Sequence, residues 1–108
     1  MPAAFVSDPA RRVEIARTIL SQLPEWFGIP AATEEYITDA AHEPCFVCEK
    51  DGAPVGFLCL KETGRSTVEL AVMGVLKPCH RKGYGRALVD AAVAYARQTG
   101  YEFMQVKT

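Results

Sequence analysis

The segment Pro78–Leu88 places two glycines and several cations where a β-rich run gives way to a strongly amphipathic helix. The first turn of a helix presents unpaired backbone N–H groups and a partial positive charge, both of which attract anions. Gly83 and Gly85 allow the backbone to approach an anion closely, and Arg81 and Lys82 can add charge-assisted hydrogen bonds. This segment therefore predicts a site for a phosphate or pyrophosphate group.

The periodicity of the remaining sequence predicts eight elements around this segment, in the order β-α-α-β-β-β-α-β. Strands are expected at Ala4–Val6, Cys45–Lys50, Val55–Lys61, Thr67–Val75 and Phe103–Lys107, and helices from Pro9 to about Leu23, from about Thr33 to Ala41 and from about Gly85 to Gln98. Asp8 is the expected N-cap of the first helix. The phosphate loop would then lie between the fourth strand and the third helix.

Turn chemistry predicts how these strands pair. Asp51-Gly52 readily adopts positive φ and indicates a hairpin, so the three middle strands should be antiparallel. The last strand follows a helical crossover and should lie parallel to Thr67–Val75. Gly74 suggests a bulge or a close backbone approach. The expected fold is α/β (α+β) with a mixed sheet, in one domain spanning residues 1–108.

The composition is that of an ordinary globular protein, with 49 % apolar and 23 % charged residues. A net charge of −1 gives no general footprint for nucleic acid. No apolar run is long enough to span a membrane, and the N-terminus lacks the layout of a signal peptide, so a cytoplasmic location is expected.

The four cysteines are interpreted as buried free thiols, and no metal site is predicted. Cys45 and Cys48 form a C-x-x-C, but they lie in an extended run and no second pair follows. Cys79, beside the cationic loop, could have an unusually acidic thiol, although an incidental loop residue is the simpler interpretation.

The element order and the loop together resemble the GNAT superfamily of N-acetyltransferases. Its Gln/Arg-x-x-Gly-x-Gly/Ala signature is matched by His80-Arg81-Lys82-Gly83-Tyr84-Gly85, with His in the first position. The resemblance covers nearly the whole chain and implies a GNAT-like mixed sheet. It also implies a full domain that continues past the fifth strand with a further helix and hairpin.

The resemblance implies acetyl-CoA as co-substrate, with its pyrophosphate on the backbone N–H groups of the loop. It further implies that the fourth and fifth strands splay apart and that main-chain groups near Met73–Leu76 pair with pantetheine and polarise the thioester. The cofactor-binding residues expected on this basis are Gly74, Val75, Leu76, His80, Arg81, Lys82, Gly83, Tyr84, Gly85 and Arg86. For His80, a phosphate-facing or solvated loop position is favoured over a catalytic role.

Acetyl transfer to an amine needs a base, and Glu69 on the fourth strand is the candidate. It lies 14 residues before Gly83, a separation that resembles the glutamate base of some histone-acetylating members. The alternative is that Glu69 merely occupies a solvated position in an alternating strand.

The acceptor side of the site is assigned by the resemblance to Trp26 and Phe27, which could equally pack the first helices onto the sheet. Glu25, Glu34 and Glu35 could favour a cationic amine, or could simply solvate a helix start.

The chain ends at Thr108, so the tyrosine that usually acts as general acid in this family is missing, and Tyr84, Tyr95 and Tyr101 do not occupy its position. A fragment, a naturally short protein and an assembly all fit this ending. A homodimer through Phe103–Lys107 is one such assembly.

The function expected from these features is an N-acetyltransferase that moves an acetyl group from acetyl-CoA to an amine by direct attack, or the N-terminal part of such an enzyme. The amine could belong to a small molecule or to a peptide. The alternative is a non-catalytic acyl-CoA-binding or interaction module.

Overall fold

A five-stranded sheet carries helices on both faces in this computed structural model, which describes residues 3–24 and 30–106. The elements are β1 (Ala4–Val6), α1 (Pro9–Leu20), α2 (Pro30–Asp39), a 3-10 turn (Ala40–His42), β2 (Cys45–Lys50), β3 (Ala53–Gly64), β4 (Thr67–Val75), a second 3-10 turn (Lys77–Cys79), α3 (Tyr84–Gln98) and β5 (Phe103–Val106). The predicted α/β class and element order are confirmed. Lys107, the last residue of the predicted strand, lies outside the described residues.

The strands follow one another across the sheet in chain order. β1 to β4 are antiparallel neighbours, and β5 runs parallel to β4, as the crossover predicted. Asp51 and Gly52 both adopt positive φ, at 54° and 82°, in the tight turn that joins β2 to β3.

Local signals fix most helix ends. The Asp8 Oδ1 atom accepts a hydrogen bond from the Ala10 N–H at 3.1 Å, which confirms the predicted N-cap of α1. The helix ends at Leu20 rather than near Leu23, but a turn follows and Leu23 remains buried. The second helix begins at Pro30 rather than Thr33, because proline suits the first turn of a helix.

Two apolar cores lie on the two faces of the sheet. The face covered by α1 and α2 includes Ile19, Leu23, Ile37, Phe57 and Val72. The face covered by α3 includes Leu58, Leu60, Val68, Leu88 and Ala92. Among the described residues, no helix has the length and apolar character needed to cross a membrane.

Strand β4 contains one extra residue relative to β3. Leu60 pairs with Leu70 while the next residue back, Cys59, pairs with Val72, so Ala71 forms a bulge. The β4–β5 ladder ends at Leu70, immediately before this bulge. Val106 is the last described residue of β5, so the described ladder covers the first half of β4.

Gly74 allows α1 to lie close to the sheet. A Cβ atom built on Gly74 would lie 3.1 Å from Leu23 Cδ1 and 3.2 Å from Ile19 Cγ2. This is the close approach predicted from the sequence, and the bulge lies three residues earlier in the strand.

The interpretation of all four cysteines as free thiols is wrong for two of them. Cys45 and Cys59 are joined in a disulfide between β2 and β3, with their Cα atoms 4.3 Å apart. They face each other in the register of these strands, in a pair whose side chains approach closely. Sequence reasoning paired Cys45 only with its near neighbour Cys48, which is a buried free thiol whose pKa is raised by burial.

Candidate functional site

A cleft of about 610 Å³ lies between the second half of β4 and the N-terminus of α3. This volume falls within the roughly 300–1,000 Å³ of small-molecule sites. The cleft is lined by Leu23, Met73, Gly74, Val75, Cys79, His80, Arg81 and Gly85. It thus brings together five of the residues predicted to bind the cofactor: Gly74, Val75, His80, Arg81 and Gly85.

The hydrogen-bonding pattern shows which backbone groups of β4 face the open edge. The Leu76 N–H donates to the Val55 carbonyl at 2.9 Å, so Leu76 is bonded towards β3. In an antiparallel ladder this direction alternates with each residue. The polar backbone groups of Met73 and Val75 therefore point away from β3. Among the predicted residues Met73–Leu76, Gly74 and Leu76 are therefore the two whose backbone groups are directed towards β3.

His80 closes part of this edge. Its Nε2 atom lies 2.6 Å from the Val75 carbonyl oxygen. Because a carbonyl only accepts hydrogen bonds, Nε2 carries the proton in this arrangement. The imidazole therefore holds the loop against the end of β4, a position that the sequence did not distinguish from a phosphate-facing or solvated one.

The loop before α3 adopts backbone conformations that expose its N–H groups. Gly83 caps the helix with φ of 88°, a conformation that glycine adopts readily. The Ala87 N–H makes the first helical bond, to the Gly83 carbonyl at 3.0 Å. The N–H groups of Tyr84, Gly85 and Arg86 precede it and have no partner within the helix. These N–H groups lie at the helix end where the sequence predicts an anion site.

Arg81 also has positive φ, at 62°. This conformation is uncommon for a residue other than glycine, asparagine or aspartate. Such conformations concentrate at ligand sites, where the surrounding structure maintains them. Arg81 lines the cleft, so its unusual backbone conformation coincides with the site.

The remaining predicted cofactor residues lie outside the cleft lining. Lys82 is exposed beside the loop. The Tyr84 side chain is buried in the core under α3, so only its backbone is available to a ligand in the cleft. The Arg86 side chain is 88 % exposed and lies 3.9 Å from Asp90.

Two cleft residues were not among the predicted binding residues, Leu23 and Cys79, whereas Met73 was expected there through its main chain. Leu23 was expected only as a core residue of α1, and it reaches the cleft because Gly74 allows α1 to approach the sheet. Cys79 is a buried free thiol, as predicted. No local sequence motif marks these apolar positions as part of a site.

A second cavity, of about 530 Å³, lies where α2 faces β3 and β4. We call it the acidic cavity, since its lining holds four carboxylates and one ammonium group. The lining residues are Ala32, Glu35, Tyr36, Asp39, Glu43, Lys61, Glu69, Leu70 and Ala71. Glu69, the predicted base, is half-buried here and accepts a hydrogen bond from Gln105 Nε2 at 3.2 Å.

The predicted acceptor residues are only partly within the described structure. Trp26, Phe27 and Glu25 lie outside the described residues. The Glu34 carboxylate is paired with the Arg17 guanidinium through two hydrogen bonds of 2.7 and 3.0 Å. This pairing holds the Glu34 pKa below its ordinary value. Glu35, in contrast, lines the acidic cavity.

Glu43 is the residue of this region that sequence reasoning missed. It is the buried charged residue of the described structure, with 9 % of its surface exposed. Burial raises its pKa to about 7; the negative charge of Asp39 adds to the increase, and Lys61 opposes it. The sequence shows only a glutamate before Pro44 at the end of a helix, with nothing to mark its burial.

The structure resembles several solved acetyltransferases. A ribosomal-protein-alanine N-acetyltransferase from Brucella melitensis biovar Abortus aligns over 98 % of this chain and 78 % of its own, at a TM-score of 0.75 and 15 % identity. An aminoglycoside N-acetyltransferase in complex with CoA aligns over 98 % and 78 %, at a TM-score of 0.69 and 22 % identity. These similarities show the fold.

The sequence is 34 % identical over 106 residues to a mycothiol acetyltransferase from Propionibacterium freudenreichii subsp. shermanii. The match covers 93 % of this chain and 30 % of that protein, so the chain spans less than a third of the length of this curated relative. Residues 5–108 match the acetyltransferase (GNAT) family. The sequence match, the fold and the glycine loop agree: this chain belongs to the GNAT family of acetyltransferases.

Proposed function

We propose that the chain binds acetyl-CoA in the cleft and transfers its acetyl group to an amine. The observation that carries this proposal is the cleft itself, where the open edge of β4 meets the N-terminus of α3 and the cationic loop. Family membership and the CoA complex of the aminoglycoside acetyltransferase support the identity of the ligand.

The loop residues fit the pyrophosphate of CoA. A diphosphate requires several convergent donors, which the first-turn N–H groups and the Arg81 guanidinium can supply. A Cβ built on Gly85 would meet no atom within 4 Å, so the space before the helix is open to a ligand. Lys82 and Arg86 would add positive charge around it.

The edge of β4 fits the pantetheine arm. Met73 and Val75 present backbone donors and acceptors that are directed away from β3. To bond with the Val75 carbonyl, an incoming arm would have to replace or share the contact that His80 makes. A backbone N–H on this edge would stabilise negative charge on the acetyl oxygen during transfer.

Glu69 is the proposed base. It lies on β4 ahead of the bulge, in the acidic cavity, and would take the proton of the amine directly or through water. Acetyl-CoA supplies the activated acetyl group, and Glu69 accepts the proton that the amine must lose.

The first test is calorimetric titration of acetyl-CoA into the protein and into an Arg81→Gln variant. We expect about tenfold weaker binding in the variant, equal to about 1.4 kcal/mol, because one charge-assisted contact is lost. Arg65→Gln is the matched control, since Arg65 is an exposed cation in the turn between β3 and β4. Equal affinity of the Arg81 variant and the unsubstituted protein would exclude this role for Arg81, and no binding by the unsubstituted protein would refute the proposed function.

A non-catalytic acyl-CoA-binding module is the second candidate. Within residues 3–24 and 30–106, no tyrosine lines the cleft, and Tyr36 lines the acidic cavity instead. Tyr101 donates to Glu62, and Tyr95 stacks on Phe5. Thiol release measured across a panel of amines separates the candidates, since the module would bind acetyl-CoA without releasing thiol.

We also propose a homodimer through β5. Phe103 and Val106 are 62 % and 61 % exposed, which leaves an apolar surface at the edge of the sheet. Sedimentation equilibrium should give a dimer for the unsubstituted chain and a monomer for Phe103→Lys. Ala94→Lys, on the exposed side of α3, is the control and should remain dimeric. A monomer for the unsubstituted chain at high concentration would refute this assembly.

A cytoplasmic location stays a prediction. The Cys45–Cys59 disulfide weighs against it, because stable disulfides are rare in that compartment.

A further inference from the structure

Two carboxylates of the acidic cavity lack the ion pairs that several carboxylates elsewhere on the surface form. Glu34 is bound by Arg17, and Glu14 and Glu49 are both paired with Arg11. In contrast, Glu35 and Asp39 have no ion pair within the described part of the chain. Lys61 is the cation that lines the cavity with them, and it leaves an excess of negative charge.

The burial of Glu43 makes this excess of negative charge energetically unfavourable. Only 9 % of its surface is exposed, and no described residue forms a hydrogen bond or an ion pair with its carboxylate. Among the described residues no fully buried side-chain oxygen lacks a partner, so the Glu43 carboxylate oxygens open into the cavity. It lines the acidic cavity from the segment between α2 and β2, while Asp39 and Lys61 act on it from α2 and β3. A largely buried residue whose carboxylate opens into the cavity gains from a cation that enters there.

The acidic cavity adjoins the cleft along one strand. Glu69, Leu70 and Ala71 line the cavity, whereas Met73–Val75 line the cleft. Only Val72 separates the two sets, which at about 3.3 Å per residue is a distance of roughly 7 Å between Ala71 and Met73. A small molecule in the cavity can therefore reach a group held in the cleft.

The carboxylates are spread around the cavity rather than gathered at one point. In the described ranges, no group of three or more His, Cys, Asp or Glu side chains is placed to hold a metal ion. A cavity of about 530 Å³ with dispersed negative charge suits an extended organic cation better than a compact metal ion.

We propose that the acidic cavity is the acceptor site and that its acceptor is a small amine carrying at least two positive charges, bound by Glu43, Asp39 and Glu35. This inference rests on the proposed acetyl transfer and specifies its substrate class.

A second amino group on the acceptor resolves a conflict in the chemistry. The reacting ammonium group must lose its proton, and with it the charge that attracts it to the cavity. A second ammonium group keeps the molecule bound while the first reacts. The neutral nitrogen then forms a bond to the acetyl carbon, the carbon–sulfur bond breaks with its electron pair leaving on sulfur, and the displaced proton passes to a carboxylate and then to solvent.

Spermidine and n-butylamine test this inference as a trication and a monocation. Calorimetric binding at fixed salt, without acetyl-CoA, should give at least tenfold tighter binding for spermidine. Glu43→Gln and Asp39→Asn should each weaken spermidine binding severalfold to tenfold. Glu14→Gln removes the same charge from the exposed face of α1 and should leave binding unchanged.

Turnover with acetyl-CoA then links this binding to catalysis. We expect kcat/KM for spermidine to exceed that for butylamine and to fall in Glu43→Gln, mainly through KM. Equal kcat/KM for spermidine and butylamine, or an unchanged kcat/KM for spermidine in Glu43→Gln, would overturn this inference. Either result would leave the proposed function intact. Carboxylate-dependent spermidine binding with no thiol release for any amine would refute the transfer activity and the acceptor role together.

Discussion

Replacing Leu88 with alanine should lower the free energy of unfolding by about 3 kcal/mol, within the roughly 2–5 kcal/mol typical of buried Leu→Ala changes. Leu88 is fully buried on α3, and its Cδ1 atom lies 3.2 Å from the position of a Cβ on Gly56. The glycine leaves room for this side chain, so alanine would open a cavity between helix and sheet. Thermal unfolding followed by circular dichroism should show a melting temperature lower by about 10–20 °C.

The same change should weaken acetyl-CoA binding, because α3 carries the loop that lines the cleft. Val89→Ala is the control, since Val89 is the next residue on the helix but only half-buried. The Val89→Ala change should lower the free energy of unfolding by less than half as much as Leu88→Ala. Equal losses in the two variants would contradict the packing of α3 through Leu88.

Replacing Glu43 with glutamine should stabilise the protein above neutral pH and change little near pH 4. Burial raises the Glu43 pKa from its ordinary 4.5 to about 7, so the folded state holds the proton more tightly than the unfolded state. The protonated group contributes its full stability below pH 4.5 and loses it as the pH rises through 7. At about 1.4 kcal/mol per pKa unit this rise corresponds to about 3.5 kcal/mol, and solvent screening of the carboxylate reduces the expected gain of the variant at pH 8 to about 2–3 kcal/mol.

Urea unfolding of both proteins between pH 4 and pH 8 measures this difference. Glu34→Gln is an informative control, because the Arg17 contact lowers the pKa of Glu34. The unsubstituted protein should have a larger free energy of unfolding than Glu34→Gln at high pH, and this difference should disappear on acidification. The pH dependence is therefore opposite to that expected for Glu43→Gln. A stability difference for Glu43→Gln that does not vary with pH would contradict the raised pKa.

Patterns that act over a few residues predicted most of the fold. The bounds of β4 and the end of α3 agree with expectation, because alternation and the helical period are read directly from neighbouring residues. The turn at Asp51-Gly52 and the cap at Asp8 are equally local. The loop residues of the cleft followed from the same kind of signal.

Features that depend on the register between distant segments were not predictable in this way. The Cys45–Cys59 pair arises because β2 and β3 place these residues opposite each other. Glu43 is buried only because α2, β3 and β4 meet around it. The residues next to Cys45, Cys59 and Glu43 in the sequence do not indicate either feature, so both features become visible only in the assembled sheet.

Deleting Ala71, the bulge residue, would change this fold in a way that a point substitution cannot. Leu70 packs towards α3 and Val72 towards α1, so a strand without Ala71 would keep the side chains on either side of it facing their present cores. What such a strand would lose is the local bend and added twist of the bulge, which lies two residues before the β4 residues that line the cleft. The direction in which β4 reaches the cleft thus depends on the number of residues in one strand, and a one-codon deletion could change it while leaving both cores intact.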